Sequence, residues 1–98
     1  MTAHRSKPGQ ERVDAVYRGQ VQGVGFRYTV VRLAEDFAIT GFVRNEWDGS
    51  VLLTAEGERG ELERFIASVT SSRLNRCIHG VEIQWRPATG TWSHFTVA

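Results

Sequence analysis

Hydrophobic and polar positions alternate near the start of the chain, with Val13, Ala15 and Tyr17 interleaved with Asp14, Val16 and Arg18. A period of two places one set on one face, so residues 13–18 are expected to form a strand with one well-buried side. The pattern then changes. Val30, Leu33, Ala34 and Phe37 recur at helical spacing, with Arg32, Glu35 and Asp36 on the other sides, which predicts an amphipathic helix from about Arg27 to near Ala38. Residues 39–44 and 50–56 are β-prone and are separated by Asn45-Glu46-Trp47-Asp48-Gly49, whose Asp-Gly step favours a tight reversal and hence a hairpin. Leu62, Phe65, Ile66 and Val69 mark a second helical stripe, with Gly60 before it and Ser71-Ser72 at its expected end.

The following run, 71–80, mixes Arg73, Asn75, Arg76 and His79 with Leu74 and Ile78 without a clear period and reads as a connection. Val81, Ile83 and Trp85 alternate again until Pro87 to Gly90 breaks the strand, and residues 92–97 are expected to close the sheet. The resulting order is β-α-β-β-α-β with one extra C-terminal strand. That order predicts an α+β, ferredoxin-like sandwich, with two helices packed on one face of a mainly antiparallel sheet. Residues 1–12 are polar, contain Pro8-Gly9 and lack periodicity, so they are expected to be a flexible tail preceding one domain over 13–98.

With 98 residues the chain has room for one core, and everything it does must happen on one scaffold. A formal net charge of +1 leaves no global field to attract nucleic acid or an acidic membrane, so any anion selectivity must be local. The single Cys77 cannot form an internal disulfide, and no long apolar or signal-like run is present. Those features point to the cytoplasm, with no membrane partner and a monomer as the default.

The candidate chemistry lies between the first strand and the first helix, in Gly19-Gln20-Val21-Gln22-Gly23-Val24-Gly25-Phe26-Arg27. Gly19, Gly23 and Gly25 allow successive N–H groups to converge on one concavity. A helix starting near Arg27 adds unpaired N–H groups and the positive end of its dipole, and Arg27 itself adds a planar, permanently charged fork. Together these suit a phosphoryl anion. Neither G-x-x-x-x-G-K-[ST] nor G-x-G-x-x-G is present, so this is not a nucleotide motif.

A bound phosphoryl group also needs an oriented nucleophile. Asn45, at the start of the Asp-Gly turn, is a candidate to orient a water if its strand lies beside the first one, because its amide both donates and accepts. It is a poor base, so the substrate would need a good leaving group, as an acyl phosphate has. Taken alone, Arg27 reads as a surface helix residue and Asn45 as a turn former; only their joint spacing raises either.

Gly19 to Arg27, followed by Gly41-Phe42-Val43-Arg44-Asn45 and Asp48-Gly49-Ser50-Val51, resembles the acylphosphatase family in order and spacing. The resemblance covers roughly 13–97 and weakens after Val69. It implies a hydrolase of carboxyl-phosphate bonds that uses no metal and no cofactor, takes a small acyl phosphate as substrate and releases inorganic phosphate. By the same resemblance the Gln22, Gly23, Val24, Gly25 and Phe26 backbone binds phosphate, Arg27 is the phosphate ligand, and Asn45 orients the nucleophilic water. Three departures stand out: Gln20 where a basic residue is usual, Glu46 where a small hydroxyl residue is common, and Ser71-Ser72-Arg73 in place of a Gly-Pro break.

Other readings of the same residues are weaker. Cys77 and His79 lack a partner pair for zinc and suit a buried thiol, and Ile83 stands where a phosphocysteine route would need arginine. His4 and His94 sit in no nucleophile pattern. Trp47, Trp85 and Trp92 are expected to serve packing rather than base stacking. The βαββαβ order is shared with an RNA-recognition fold, but residues 13–18 and 50–55 lack paired stacking aromatics, so no nucleic-acid partner is expected. The main alternative to an enzyme is a non-catalytic phosphate-binding module on the same fold, motivated by Gln20 and Glu46.

Overall fold

A computed structural model describes residues 9–98, and its elements follow the expected order. Strand β1 (Gln10–Gly19) leads to α1 (Phe26–Ala34), then β2 (Thr40–Asn45), β3 (Val51–Glu58) and α2 (Arg59–Ser71). A short 3-10 helix (Arg73–Cys77), β4 (Ile78–Pro87) and β5 (Phe95–Val97) complete the chain. The sheet order is β4-β1-β3-β2-β5; every neighbouring pair is antiparallel except β2 and β5.

The period-two reading of β1 holds. Val13, Ala15 and Tyr17 are completely buried beneath the helices, against Val51, Leu53 and Ala55 of β3 and Val43 of β2. From above, α1 contributes Phe26, Val30 and Ala34, and α2 contributes Leu62, Phe65 and Val69. Fully burying a Val, Leu or Phe side chain contributes roughly 1.5–3 kcal/mol, so this single layer is the main source of stability. Tyr17 packs its ring on Phe26 at 5.2 Å, joining the end of β1 to the start of α1.

Several boundaries differ from expectation. β1 begins at Gln10, so residues 10–12 of the expected tail belong to the sheet, paired with Glu58, Gly57 and Glu56 of β3. Glu11 is further fixed by Arg59 at 3.0 Å. The part of the tail over residues 1–8 lies outside the described residues. Helix α1 stops at Ala34 because the next N–H groups, of Glu35, Asp36 and Phe37, bond three residues back rather than four, tightening the chain into a turn. Phe37 nevertheless joins the core, 5.5 Å from the Phe65 ring.

The connection over 71–80 contains more structure than its pattern showed. Ser72 replaces a Gly-Pro break by hydrogen bonding both ways: its hydroxyl donates to the Val69 carbonyl at 2.7 Å and accepts from the Leu74 N–H at 3.2 Å. This closes α2 and starts the 3-10 helix, whose Leu74 enters the core. β4 then begins at Ile78, three residues before its alternation becomes visible. The last strand is shorter than expected, because Trp92 leaves the ladder to pack edge-on against Phe42 at 5.4 Å.

Two of the three tryptophans serve packing as expected: Trp92, and Trp85, which lies under the Arg59 guanidinium at 3.6 Å. Trp47 does not, being 98% exposed at the tip of the β2–β3 turn. Cys77 is only partly buried rather than enclosed, since it sits in the 3-10 helix at the end of the sheet.

Candidate active site

The loop between β1 and α1 turns on glycines in the left-handed region, Gly23 at φ 79° and Gly25 at φ 78°. Gly25 is the N-cap of α1; no side chain caps the helix, and its first turn holds no acidic residue. The leading N–H groups of α1 therefore have neither an intrahelical acceptor nor a carboxylate in that turn to pair with. Arg27, the second residue of α1, is exposed and makes no hydrogen bond or ion pair with any described residue.

Asn45 ends β2, which does not lie beside β1 as the sequence reading required; β3 stands between them. Tyr17, Val51 and Asn45 are register partners in one row across β1, β3 and β2, so their side chains share the helix-covered face. The gap left by β3 is spanned by the loop. Gln22 Nε2 donates to the carbonyl oxygens of Glu46 at 2.7 Å and Ser50 at 2.9 Å, fastening the glycine loop to the β2–β3 turn. That turn is itself closed by Asp48, whose Oδ1 accepts from the Ser50 hydroxyl at 2.6 Å and the Ser50 N–H at 3.0 Å. These two bonds, with a lesser contribution from Arg18, hold the Asp48 carboxyl below its ordinary range.

The result is a cavity of about 320 Å³ to which Gly23, Gly25, Phe26, Arg27 and Asn45 all contribute. Its remaining lining is largely apolar: Val21, Tyr28, Val31 and Val97. Asn45 Oδ1 is buried and has no hydrogen-bond partner, a state that costs about 1–3 kcal/mol unless a ligand or water supplies a donor. Gln22 and Val24 belong to the same loop but do not line the cavity; the Gln22 side chain is instead committed to the β2–β3 turn.

The departures noted in the sequence have definite places. The Glu46 carboxylate is held by Arg44 Nε at 2.6 Å and is not part of the cavity wall. Gln20 is exposed, its N–H given to the Cys77 carbonyl at 3.0 Å. Arg73, on the 3-10 helix, reaches back to the loop: its Nη2 lies 2.9 Å from the Thr29 hydroxyl and its Nη1 3.5 Å from the Val24 carbonyl. Sequence reasoning did not find Gln22's side-chain role, the apolar wall or Arg73, since each depends on contacts between distant segments. Among the described residues no three His, Cys, Asp or Glu side chains gather as a metal site.

Comparison with known proteins finds relatives over most of the chain. The acylphosphatase family model matches residues 13–97. An acylphosphatase of Methanospirillum hungatei is 44% identical over 88 residues, covering 89% of this chain and 96% of that protein. One of Salinibacter ruber is 41% identical, covering 90% and 93%. In three dimensions, the crystal structure of acylphosphatase from Bacillus subtilis superposes with a TM-score of 0.82 at 27% identity, covering 90% of this chain and 98% of that one. With both glycine-loop and Asn45 segments inside the matched span, the chain belongs to the acylphosphatase family.

Proposed function

We propose that this chain hydrolyses the carboxyl–phosphate bond of acyl phosphates without a metal ion, with Arg27 binding the phosphoryl group and Asn45 orienting the water. The observation that carries this reading is the unpaired, buried Asn45 oxygen at a cavity that Arg27, Gly23 and Gly25 also line. The N–H groups of the Gln22-to-Phe26 loop and of the first turn of α1, with the Arg27 fork, hold the non-bridging oxygens. Such preorganised donors are worth about 2.7–4 kcal/mol each when they meet charge developing in the transition state.

Asn45 Oδ1 accepts a hydrogen bond from water and aims the water's lone pair at phosphorus, opposite the leaving oxygen. A new P–O bond forms as the P–O bond to the acyl group breaks, and that electron pair leaves on the carboxylate. The water's proton passes to a phosphate oxygen or to solvent, since an amide is no base. A carboxylate leaves readily enough that no strong general acid is required. The acyl group rests against Val21, Tyr28, Val31 and Val97, and inorganic phosphate is released. Because Glu46 is turned to Arg44, its charge does not oppose the anion in the cavity, which favours the enzyme over the binding-only module.

The same reading assigns the chain to the cytoplasm as a monomer. No helix among the described residues is long and apolar enough to cross a membrane.

The decisive test is hydrolysis of benzoyl phosphate after chelator treatment, with Asn45→Ala and p-nitrophenyl phosphate as comparisons. Metal-independent, Asn45-dependent cleavage of the acyl phosphate alone supports the reading. A folded chain that binds phosphate but cleaves nothing above background would be the binding module.

A further inference from the structure

We infer that Arg73 is a positioning residue for the phosphate loop and the source of the positive charge that Gln20 does not supply. The inference rests on the reading of the glycine loop as a phosphate cradle. Arg73 lies outside the cavity wall, on the first residue of the 3-10 helix, so it cannot be the primary ligand. Its guanidinium nevertheless reaches two points of the cradle's frame. One is the Thr29 hydroxyl in the first turns of α1, at 2.9 Å; the other, longer, is the Val24 carbonyl in the loop, at 3.5 Å.

Gly25 lies against the same guanidinium nitrogen that meets Thr29. A Cβ placed on Gly25 would stand 3.1 Å from Arg73 Nη2, tighter than ordinary van der Waals contact. The glycine at the helix N-cap is required by the left-handed conformation, and the arginine rests beside it at the back of the loop.

A carbonyl that accepts from a guanidinium has its peptide unit oriented, so the N–H on the far side of that unit is oriented too. For Val24 that N–H belongs to Gly25, a lining residue of the cavity. Arg73 thus turns a cradle donor toward the anion without touching it. Its charge is not cancelled by an ion pair with any described carboxylate, so it also raises the potential across the loop. Ser72 sets this up, because its double hydrogen bond fixes the angle at which the chain leaves α2 and hence where Arg73 begins.

Because the phosphoryl oxygens are bound in ground and transition states alike, losing this device should weaken anion binding more than chemistry. The experiment measures kcat and KM for benzoyl phosphate and Ki for inorganic phosphate in wild type, Arg73→Ala, Arg73→Lys and Thr29→Val. Arg27→Ala is the control for the cradle itself. In Arg73→Ala the KM and phosphate Ki should rise about tenfold with kcat changed by no more than about twofold. Arg73→Lys should recover only part, keeping the charge without the fork. Guanidinium ion, well below denaturing concentration, should lower the phosphate Ki of Arg73→Ala but not that of wild type.

Thr29→Val keeps the shape of Thr29 and the Arg73 charge, and should raise Ki about threefold; it decides the matter if Arg73→Ala does not fold. An unchanged phosphate Ki in folded Arg73→Ala, or in Thr29→Val if that is the variant that folds, overturns the inference while Arg27→Ala still abolishes binding. If Arg27→Ala also binds phosphate normally, the cradle reading itself has failed.

Discussion

Gln22 reaches across the end of the sheet to the Glu46 carbonyl, 2.7 Å from Nε2, and so ties the glycine loop to the residue immediately after Asn45. The two halves of the site come from segments that β3 separates, and this contact sets their distance. Its loss should not remove Arg27 or Asn45 but let them drift apart. Gln22→Ala should therefore lower kcat for benzoyl phosphate by about tenfold to a hundredfold, as small misplacements do. The melting temperature should fall only slightly. A variant with wild-type kinetics would show that the loop holds its place without this contact.

Arg27 and Asn45 should separate in their effects. Arg27→Ala removes the fork proposed to neutralise the phosphoryl oxygens, so both turnover and inhibition by inorganic phosphate should be lost. Asn45→Ala leaves the cradle in place; kcat should fall by about 10²–10³ while phosphate still binds. Its stability should hold or rise, because the substitution deletes a buried acceptor with no partner. Equilibrium unfolding of both variants beside their kinetics checks the pairing of activity loss with retained or improved stability.

Local signals account for what the sequence disclosed. Val13, Ala15 and Tyr17 alternate because they cover one sheet face, and Leu62, Phe65 and Val69 recur because they cover one helix side. The ends of elements were less visible. Residues 10–12 have no apolar period, since their strand is fixed by backbone pairing to residues 56–58 and by the Arg59–Glu11 ion pair. The start of β4 is hidden because its register against β1 shifts at Arg18 and Gly19. In the site, spacing singled out Arg27 and Asn45, the residues proposed to bear the chemistry, and both line one cavity. The contacts holding them were not: Gln22 and Glu46 are 24 residues apart, and Arg73 and Val24 are 49 apart.

Away from the site, Asp14 gives the acid limb of stability. Burial alone would raise its carboxyl, but hydrogen bonds from Arg12 and Thr54, the Arg12 charge and a bond from Arg86 hold it below its ordinary value of 3.8. A carboxyl with a lower pKa folded than unfolded stabilises the fold while ionised, above its ordinary range. That contribution is lost as pH falls through the folded value. Asp14→Asn should lower stability at pH 7 by roughly 1 kcal/mol, and the difference from wild type should close as the pH falls through the lowered folded value of Asp14. Its kcat should be unchanged, since Asp14 lies on the sheet face away from the cavity. Urea titrations at several pH values read this directly.

The apolar wall of the cavity should govern which acyl groups are preferred. Tyr28 is 65% exposed yet lines the cavity beside Arg27, and its hydroxyl accepts from Arg32 Nη1 at 3.2 Å, which steadies the ring. Val31, one helical turn on, continues the same surface. A benzoyl group would cover this wall, whereas an acetyl group is too short to do so. Each buried methylene contributes about 0.8 kcal/mol, so removing wall atoms should penalise the larger substrate selectively. In Tyr28→Ala and Val31→Ala the ratio of kcat/KM for benzoyl phosphate over acetyl phosphate should fall about three- to tenfold. The Ki for inorganic phosphate should stay at its wild-type value, because the cradle is untouched. Equal losses on both substrates would place the acyl group elsewhere and leave the wall a structural surface.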